Sequence, residues 1–559
     1  MRTAAEYVAY SLEKLGVRHV FGVGGANIED LFDAVHRTPA LLGVLAKHEF
    51  SAATMADGYA RVGAPLGVVM ATSGGGALNL VPALAESYAS CVPVLALVGQ
   101  PPTSMEGHGA FQDGSGRGGS IDARELFRSV SVHCESLASA DELPYALHQA
   151  LSAALGERPG PAVLLLPKDV QRAKIDPHAP AYDLQPSRGR RAPAEDDVKA
   201  AAELLADARS VLVIAGDGVA RHHARNELAA LVERLDARVA LAPDARDVYD
   251  NGDRRFIGLA GVMGNRSLTE QLARTDACVV VGTRLPHLAH AGIEGELARR
   301  PLISVHFEPS FETGAPRIEL IGHVKLGLRD LVARLAARPA QAVEVIPPEG
   351  GPPTFLPGTR TAGTLRFGDA LQAIMAAMPD HANVIVDAGN TGASAVHWMR
   401  SPSRGRFVLA LGMGGMGYSF GAATGAAFAN GRRTFVLAGD GAFFMHGLEI
   451  HTALQYDLPI TFILFDNNAH GMCVTREHLY FGGDYSYNTF RRSELASGLG
   501  AMFPALKVLA GRSAEEIEHS LRVPCAGPSV MCVDVDVREI PPFLPFLQAV
   551  RPGGNGGPG

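Results

Sequence analysis

The chain has 559 residues, of which 47% are hydrophobic and 19% are charged, and its formal net charge is -8. A chain of this length can bury several hydrophobic cores, and about three domains are expected. The net negative charge and the lack of a long lysine or arginine run argue against a nucleic-acid-binding protein. Small molecules and other subunits are the expected partners.

The amino terminus predicts a cytoplasmic protein. Its segment MRTAAEYVAYSLEKLGV carries Glu6 and Glu13 within an amphipathic pattern, unlike the uninterrupted apolar core of a secretory signal. No apolar run reaches the ~18 residues that a transmembrane helix needs. We therefore expect no contact with a membrane.

Short β-like runs alternate with Ala/Leu-rich helical stretches over most of the chain. This alternation predicts an α/β fold with parallel sheets flanked by helices. Most runs end at Gly, Asp, Asn or Ser, where the loops of parallel sheets collect ligands. The strand-like runs are 67–73, 93–99, 162–167, 210–216, 277–282, 383–389, 434–440 and 460–468.

Two proline-rich stretches, 177–197 and 339–359, interrupt the alternation and are predicted to be interdomain linkers. They divide the chain into three parts, each long enough for its own sheet. The Gly/Pro-rich tail is not expected to order by itself. The predicted boundaries are 1–175, 190–340 and 360–550, followed by the tail 551–559.

The segment from Gly439 to Asn468 has the pattern of a diphosphate and metal site. A strand delivers Gly439, Asp440 and Gly441, and the next apolar strand delivers Asn467 and Asn468, with 468 − 440 = 28 residues between the carboxylate and the second amide. A β-α-β unit of about 30 residues brings both loops to one sheet edge. Carboxylate and amide oxygens suit Mg²⁺, and the glycines let backbone N–H groups approach phosphates.

This GDG and NN pair resembles the thiamine-diphosphate-binding signature of the acetolactate synthase and pyruvate decarboxylase superfamily. For either piece alone, a turn and a strand-end cap are the alternatives. The resemblance implies that the side chains of Asp440 and Asn468 and the backbone carbonyl of His470 hold the metal. It also implies an α/β fold of three domains: a pyrimidine-binding domain (1–175), a nucleotide-binding-like middle domain (190–340) and a diphosphate-binding domain (360–550).

The stretch 47–79, KHEFSAATMADGYARVGAPLGVVMATSGGGALN, resembles the pyrimidine side of the family's cofactor site. In the family, the glutamate at the position of Glu49 hydrogen-bonds N1′ of the aminopyrimidine and serves a cofactor whose diphosphate is bound by another chain. The resemblance thus implies at least a homodimer, with a homotetramer as an open alternative. Taken alone, a glutamate that opens a helix is more often a surface residue that compensates the helix dipole.

Two glycine-rich stretches, 386–398 and 410–429, resemble the diphosphate loop and the loop that bends the cofactor. Met416 would be the apolar support beneath the bent cofactor, and Gly414 or Gly415 would offer a carbonyl to N4′. The alternative is a Gly-rich helix start with methionine in the core. The cofactor contacts implied by the resemblance are Gly25, Thr72, Asn79, Gly389, Asn390, Gly414, Met416, Gly439, Asp440, Gly441, Ala442, Asn468 and Met472.

The loop 99–113 resembles the acetolactate synthase loop that ends in AFQE, with Asp113 in place of the glutamate. The resemblance implies that Gln112 lies beside the reacting carbon, and His108 is a candidate proton donor. It predicts decarboxylation of a pyruvate-like 2-keto acid and transfer of the acyl unit to an acceptor carbonyl. A 2-keto acid decarboxylase that releases an aldehyde and a catalytically silent regulatory subunit are the alternatives.

Other positions depart from the acetolactate synthase pattern. Arg476 lies near the position of the family's tryptophan, Val132 replaces a lysine and Gly75 replaces a proline. A cation near the acceptor would suit a polar or negatively charged acceptor. In the middle part, Arg284 matches a flavin contact of the family but the residues after it do not, so FAD is an open alternative.

Overall fold

The computed structural model describes most of the chain. The predicted tail 551–559 and parts of both predicted linkers lie outside the described residues. The described residues are 1–176, 178, 180, 182–183, 190–265, 267–338, 354–402, 404–483 and 486–550.

Three six-stranded parallel sheets flanked by helices organise the described residues, which confirms the predicted α/β class. The strands at the sheet centres are buried along their whole length, as in β4 (Val94–Gln100). Helices on both faces cover such strands, which explains why their sequences are continuous apolar runs rather than alternating ones.

The first sheet has the strand order β2-β1-β3-β4-β6-β5. Its first helix begins at a capping box, because the Thr3 hydroxyl accepts from the Glu6 N–H and the Glu6 carboxylate accepts from the Thr3 N–H. The elements of this part are β1 (His19–Gly22), β2 (Leu42–Leu45), β3 (Gly67–Ala71), β4 (Val94–Gln100), β5 (His133–Ser136), β6 (Pro161–Pro167), α1 (Ala4–Lys14), α2 (Glu29–His36), α3 (Glu49–Arg61), α4 (Gly75–Ala89), α5 (Ala123–Arg128), α6 (Leu143–Ala154) and α7 (Lys168–Arg172).

The middle sheet has the strand order β12-β11-β10-β7-β8-β9. Numbered from its own first strand, this is the 3-2-1-4-5-6 order of doubly wound nucleotide-binding folds, read from the other edge. The elements are β7 (Val211–Ala215), β8 (Arg238–Leu241), β9 (Phe256–Leu259), β10 (Ala277–Val281), β11 (Leu302–His306), β12 (Arg317–Ile321), α8 (Glu195–Asp207), α9 (Gly218–Arg221), α10 (Arg225–Leu235), α11 (Ser267–Ala273), α12 (His287–His290), α13 (Glu294–Leu297) and α14 (Val324–Arg334).

The third sheet, of order β15-β14-β16-β17-β19-β18, repeats the strand order of the first sheet. A short antiparallel pair, β13 with β20, lies beside it. The elements are β13 (Thr354–Phe355), β14 (Asn383–Val386), β15 (Arg406–Leu409), β16 (Thr434–Gly439), β17 (Ile460–Asp466), β18 (Lys507–Leu509), β19 (Ser529–Asp534), β20 (Glu539–Ile540), α15 (Phe367–Ala377), α16 (Asn390–Trp398), α17 (Tyr418–Asn430), α18 (Asp440–His446), α19 (Ile450–Gln455), α20 (Gly471–Phe481), α21 (Leu495–Met502), α22 (Ala514–Arg522) and α23 (Leu544–Ala549).

Helices α3 and α17 join the first and third parts of the chain. Gly58 of α3 lies against the backbone of Ala422, and Gly425 of α17 lies against the backbone of Met55, so neither glycine has room for a Cβ atom. The close approach of the two backbones depends on these small residues. Among the described residues, every helix is too short or too polar to span a lipid bilayer.

Candidate functional site

The carboxyl edge of the third sheet gathers the predicted diphosphate and metal residues. Strands β14, β16 and β17 are neighbours in this sheet and run parallel. Asn390, Asp440 and Asn468 each follow the end of one of these strands within a few residues. Their side chains therefore start from three adjacent loops at one edge.

Asp440 is buried, with 2% of its surface exposed. Its Oδ2 accepts a hydrogen bond from the Ala469 N–H at 3.2 Å, across from β16 to the loop after β17. Burial raises the pKa of Asp440, and the neighbouring carboxyl of Asp466 raises it further. Burial also raises the pKa of Asp466. Two adjacent buried carboxyl groups are best stabilised as anions by a shared cation, which fits a divalent metal.

The loop after β17 has an unusual backbone. Asn468 adopts a left-handed conformation with φ of 54°, which asparagine tolerates better than most residues. Its carbonyl accepts from the Phe490 N–H at 2.6 Å, and the His470 N–H donates to the Asn488 carbonyl at 2.9 Å. The segment 488–490 thus supports the predicted metal loop, and no pattern in the sequence had indicated it.

The predicted third metal ligand, the backbone carbonyl of His470, already has two hydrogen-bond partners. The N–H groups of Cys473 and Val474 donate to it at 2.9 and 3.1 Å in the first turn of α20. A metal would be a third contact for this oxygen. The side-chain oxygens of Asp440 and Asn468 are therefore better candidate ligands for a hard cation than the His470 carbonyl is.

Asn390 is a buried amide without a partner. Both of its side-chain polar atoms are buried and lack a hydrogen bond, although buried polar groups are normally paired. Gly389, just before it, has φ of +87°, and Asn390 opens the nine-residue helix α16. A helix start with free N–H groups and an unsatisfied amide fits a phosphate group.

The loop between β15 and α17 carries Gly414 and Met416. Asp387, buried at the end of β14, accepts from the Gly417 N–H at 2.9 Å and from the Ser419 hydroxyl at 2.7 Å. Met416 lies beside Gly441, because a Cβ at Gly441 would be 3.3 Å from the Met416 Cε. Asp387 was not predicted, although it ends a strand-like run, which is the signal that identified Asp440.

Glu49 lies at the start of α3, where His48 caps the helix by accepting from the Phe50 N–H at 3.1 Å. The Glu49 Oε2 accepts from the Asn79 amide at 3.0 Å. A Cβ at Gly76 would be 3.1 Å from the Glu49 Oε1, so this glycine leaves space for the carboxylate. The structure thus brings Glu49 and Asn79 into direct contact.

The other predicted residues of the first part lie around the end of β3. Gly25 packs directly against Thr72, whose side chain would be 2.6 Å from a Cβ at that glycine. The Ser73 hydroxyl donates to the Gln112 Oε1 at 3.3 Å. Gln112 itself has φ of 62°, a left-handed conformation that costs energy and is common at functional sites.

Three further predicted residues are described by their exposure or packing. His108 is exposed on the loop before Gln112. Met472 packs against the small apolar cluster of Leu356, Ile540 and Phe546. Ala442 is buried in α18.

The two clusters approach each other within one chain. The ring of Phe50, next to Glu49, stacks on His446 with ring centres 4.3 Å apart. The same ring would be 3.8 Å from a Cβ at Gly415. The start of α3 therefore lies against the loop that carries Met416.

Arg284, the residue that matches a flavin contact of the family, already makes contacts within its own chain. The Arg284 Nε donates to the Pro309 carbonyl at 2.8 Å, and its guanidinium lies 4.3 Å above the centre of the Phe311 ring. Burial, with the nearby Arg221, lowers the pKa of His306 to about 3, so this imidazole is neutral. Neither observation indicates a bound flavin.

Sequence models of three domains of one enzyme family match the chain. The N-terminal TPP-binding domain of thiamine pyrophosphate enzymes matches residues 2–116, the central domain matches 198–331, and the C-terminal TPP-binding domain matches 387–535. The matches include strands of all three sheets and both predicted cofactor clusters.

Two similar proteins are acetolactate synthase subunits. The chain is 29% identical to a probable acetolactate synthase large subunit of Methanocaldococcus jannaschii, over 97% of this chain and 93% of that one. It is 27% identical to the acetolactate synthase isozyme 1 large subunit of Escherichia coli, over 97% and 96%.

Solved structures share the fold at lower sequence identity. Benzoylformate decarboxylase from Polynucleobacter necessarius superposes with a TM-score of 0.82 at 22% identity, over 97% of this chain and 100% of that chain. A protein from Mycobacterium smegmatis, described as a thiamin diphosphate-dependent enzyme, superposes with a TM-score of 0.78 at 21% identity, over 96% of this chain and 100% of that chain. At these identities the likeness supports the three-part architecture alone.

Proposed function

Because the chain belongs to the thiamine pyrophosphate enzyme family and resembles its acetolactate synthase branch, we propose that it is a carboligase for 2-keto acids. It would decarboxylate a pyruvate-like acid and join the acyl unit to an acceptor carbonyl. In the net reaction, a 2-keto acid, an acceptor carbonyl compound and one proton give carbon dioxide and a 2-hydroxy ketone.

The structural observation that supports the cofactor and metal part of this proposal is the pair of buried carboxyl groups, Asp440 and Asp466, at neighbouring strand ends. A protein does not keep two adjacent buried acids without a compensating cation or proton. A Mg²⁺ ion bound to a diphosphate supplies that compensation. Asp440 and Asn468 would hold the ion, with the His470 carbonyl as a further candidate.

The remaining roles follow from where the side chains lie. Asn390 and the N–H groups at the start of α16 would bind the diphosphate, and Met416 would support the cofactor from the side of Gly441. Glu49 would hold a proton at N1′ of the aminopyrimidine, and its bond to Asn79 orients the carboxylate. When bound, thiamine diphosphate supplies the carbon nucleophile and accepts the electrons released with carbon dioxide.

The acceptor side is proposed to be polar or anionic. Arg476 lies on α20, with its guanidinium 5.4 Å from the centre of the Tyr480 ring. A fixed guanidinium discriminates in favour of carboxylate or phosphate groups. Gln112, held by Ser73, would contact the reacting carbonyl groups.

The chain is further proposed to work at least as a homodimer. In that arrangement Glu49 of one chain serves the cofactor whose diphosphate is bound by its partner. A homotetramer is the larger alternative. A middle part of doubly wound order also leaves room for a bound nucleotide such as FAD.

The test is product analysis by mass spectrometry. The purified chain is incubated with thiamine diphosphate, Mg²⁺, pyruvate and a panel of aldehydes, ketones and 2-keto acids. Formation of a 2-hydroxy ketone supports the proposal. Acetaldehyde as the main product in every mixture would instead identify a decarboxylase, and no carbon dioxide release from any keto acid would indicate a silent subunit. Absorbance near ~450 nm in the same sample would report flavin.

A further inference from the structure

We propose that His287, His290 and Glu294 form a binding site for a divalent transition metal, with Zn²⁺ as the expected ion. His287 and His290 lie on α12 and Glu294 begins α13, at the surface of the middle part. The site lies in the stretch that departs from the family's flavin-contact pattern. It is independent of the function proposed above.

The three side chains offer one ligand atom each, and these atoms lie within 4.8 Å of one another. The rings of His287 and His290 are at 89° with centres 5.5 Å apart, so their nitrogens can point at a common position. Ligand nitrogens bind Zn²⁺ at ~2.1 Å, so the exposed ends of the side chains need to close by roughly 1 Å on binding. Rotation about side-chain bonds suffices for this movement.

Backbone contacts already orient two of the three ligands. The Nδ1 of His290 lies 2.8 Å from the Leu285 carbonyl oxygen. A carbonyl can only accept, so Nδ1 carries the proton and the lone pair is on Nε2. This is the arrangement in which metal-binding histidines are usually found. The Glu294 Oε2 accepts from the Gly292 N–H at 2.8 Å, which leaves Oε1 for a metal.

The neighbouring glutamate, Glu296, differs from Glu294 because it is already paired with cationic side chains. Its carboxylate is paired with Arg299 and Arg300, both at 2.8 Å. Within the part of the chain that the structure describes, no cation pairs with Glu294. The segment that carries the site also packs against other parts of the chain. The Leu288 backbone of α12 lies against Gly261, and a Cβ at Gly292, in the turn, would be 2.6 Å from the Leu544 side chain.

The ligand chemistry selects the ion. Two imidazoles and one carboxylate suit Zn²⁺ and related borderline ions better than Mg²⁺ or Ca²⁺, which prefer oxygen ligands alone. Three protein ligands leave one position for water or for a ligand from another molecule. The ion would tie α12 to α13 across the turn 291–293.

The experiment uses the full, untagged chain loaded with thiamine diphosphate and Mg²⁺, so that the other cation site is filled. Zn²⁺ is titrated by calorimetry, and Co²⁺ is used as a visible-absorption probe. We expect wild type to bind one more equivalent of Zn²⁺ than His290→Ala. We also expect Glu294→Gln, which can still accept from Gly292, to bind Zn²⁺ at least tenfold more weakly. The exposed His381→Ala variant is the matched control and should retain the site.

A second readout is the thermal midpoint, which Zn²⁺ should raise in wild type and in His381→Ala but not in His290→Ala. Equal stoichiometry and affinity for wild type, His290→Ala and Glu294→Gln would overturn the proposal. So would the absence of any Zn²⁺ binding to wild type beyond the cofactor site. These readouts do not depend on catalytic activity.

Discussion

The carboxylate of Glu86 accepts a hydrogen bond from the backbone N–H of Met413, a residue 327 positions further along the chain, at 2.5 Å. The same carboxylate accepts from the Gly412 N–H at 3.2 Å and pairs with Arg61 at 3.1 Å. Helix α4 of the first part thus holds the beginning of the loop that carries Gly414 and Met416. We infer that Glu86 is a positioning residue for this loop.

Glu86→Gln should loosen the loop. The amide offers one acceptor in place of two charged oxygens, so a buried N–H donor loses its partner at a cost of about 1–3 kcal/mol. We expect a lower free energy of unfolding in urea and an approximately tenfold weaker thiamine diphosphate affinity, since 1.4 kcal/mol is about tenfold. Glu13→Gln, at an exposed position of α1, is the control. Lower stability with unchanged cofactor affinity would assign Glu86 a purely structural role.

Glu539→Gln should change the pH dependence of stability. Burial raises the pKa of Glu539 to about 7. The hydrogen bond from the Phe367 N–H acts in the opposite direction but is the smaller effect. The folded state thus favours the protonated acid. This contribution is complete below the ordinary glutamate pKa and is lost as the pH rises through 7. Relative to wild type, the variant should gain stability between pH 5 and pH 8, by up to about 3 kcal/mol.

Urea unfolding at intervals across this range measures the effect. The glutamine still accepts from the Phe367 N–H, so the helix cap of α15 is retained. Glu13→Gln should follow the wild-type curve. Parallel curves for wild type and Glu539→Gln would show that folding does not raise the pKa of this carboxyl.

Asp440→Asn should weaken cofactor binding that depends on Mg²⁺. The variant keeps the size of the side chain but removes the charge that a divalent ion needs. We expect the thiamine diphosphate Kd in Mg²⁺ to rise by at least about 100-fold, because loss of a residue that only supports a metal ligand already costs about 10–100-fold. Asp457→Asn, an exposed aspartate before β17, is the matched control. A Kd that responds equally to Mg²⁺ in wild type and Asp440→Asn would remove Asp440 from the metal site.

Glu49→Gln should separate binding from turnover. The amide fills the same space beside Gly76 but cannot exchange a proton with the aminopyrimidine. Proton transfer by a positioned group is worth about 10²–10⁴ in rate, so carbon dioxide release should fall by this factor while the thiamine diphosphate Kd changes by less than tenfold. Full turnover in the variant would show that Glu49 has no catalytic part.

Arg476→Met should alter the choice of acceptor. Loss of the guanidinium removes an attraction for anionic groups, and we expect the ratio of anionic to neutral acceptor use to fall at least about tenfold, or ~1.4 kcal/mol. Competition between one acceptor of each kind, followed by mass spectrometry, measures the ratio. Lys507→Met, at an exposed lysine of β18, controls for net charge. An unchanged ratio would place Arg476 outside the acceptor site.

The strand-like runs that the sequence predicted all became strands, and the run 434–440 led directly to Asp440. This succeeded because an apolar run that ends in Gly and Asp encodes both a buried strand and a polar loop at its carboxyl end. The spacing between Asp440 and Asn468 needs only one β-α-β unit, which is local information. Glu49 and Asn79 likewise lie on consecutive helices of the first part, α3 and α4.

Other features of the site depended on the tertiary structure. The 488–490 segment supports Asn468 and His470 from a loop without sequence pattern, and Glu86 reaches Met413 across the contact of two parts of the chain.

By itself, therefore, the sequence determined the α/β class, the runs that form the sheets and the residue types at their carboxyl ends, because periodicity and strand-end chemistry are local properties. Only the tertiary structure decided which loops are held from a distance, as Glu86 holds Met413 and the segment 488–490 supports Asn468. Such contacts arise from strand order and helix packing, which no short stretch of sequence contains.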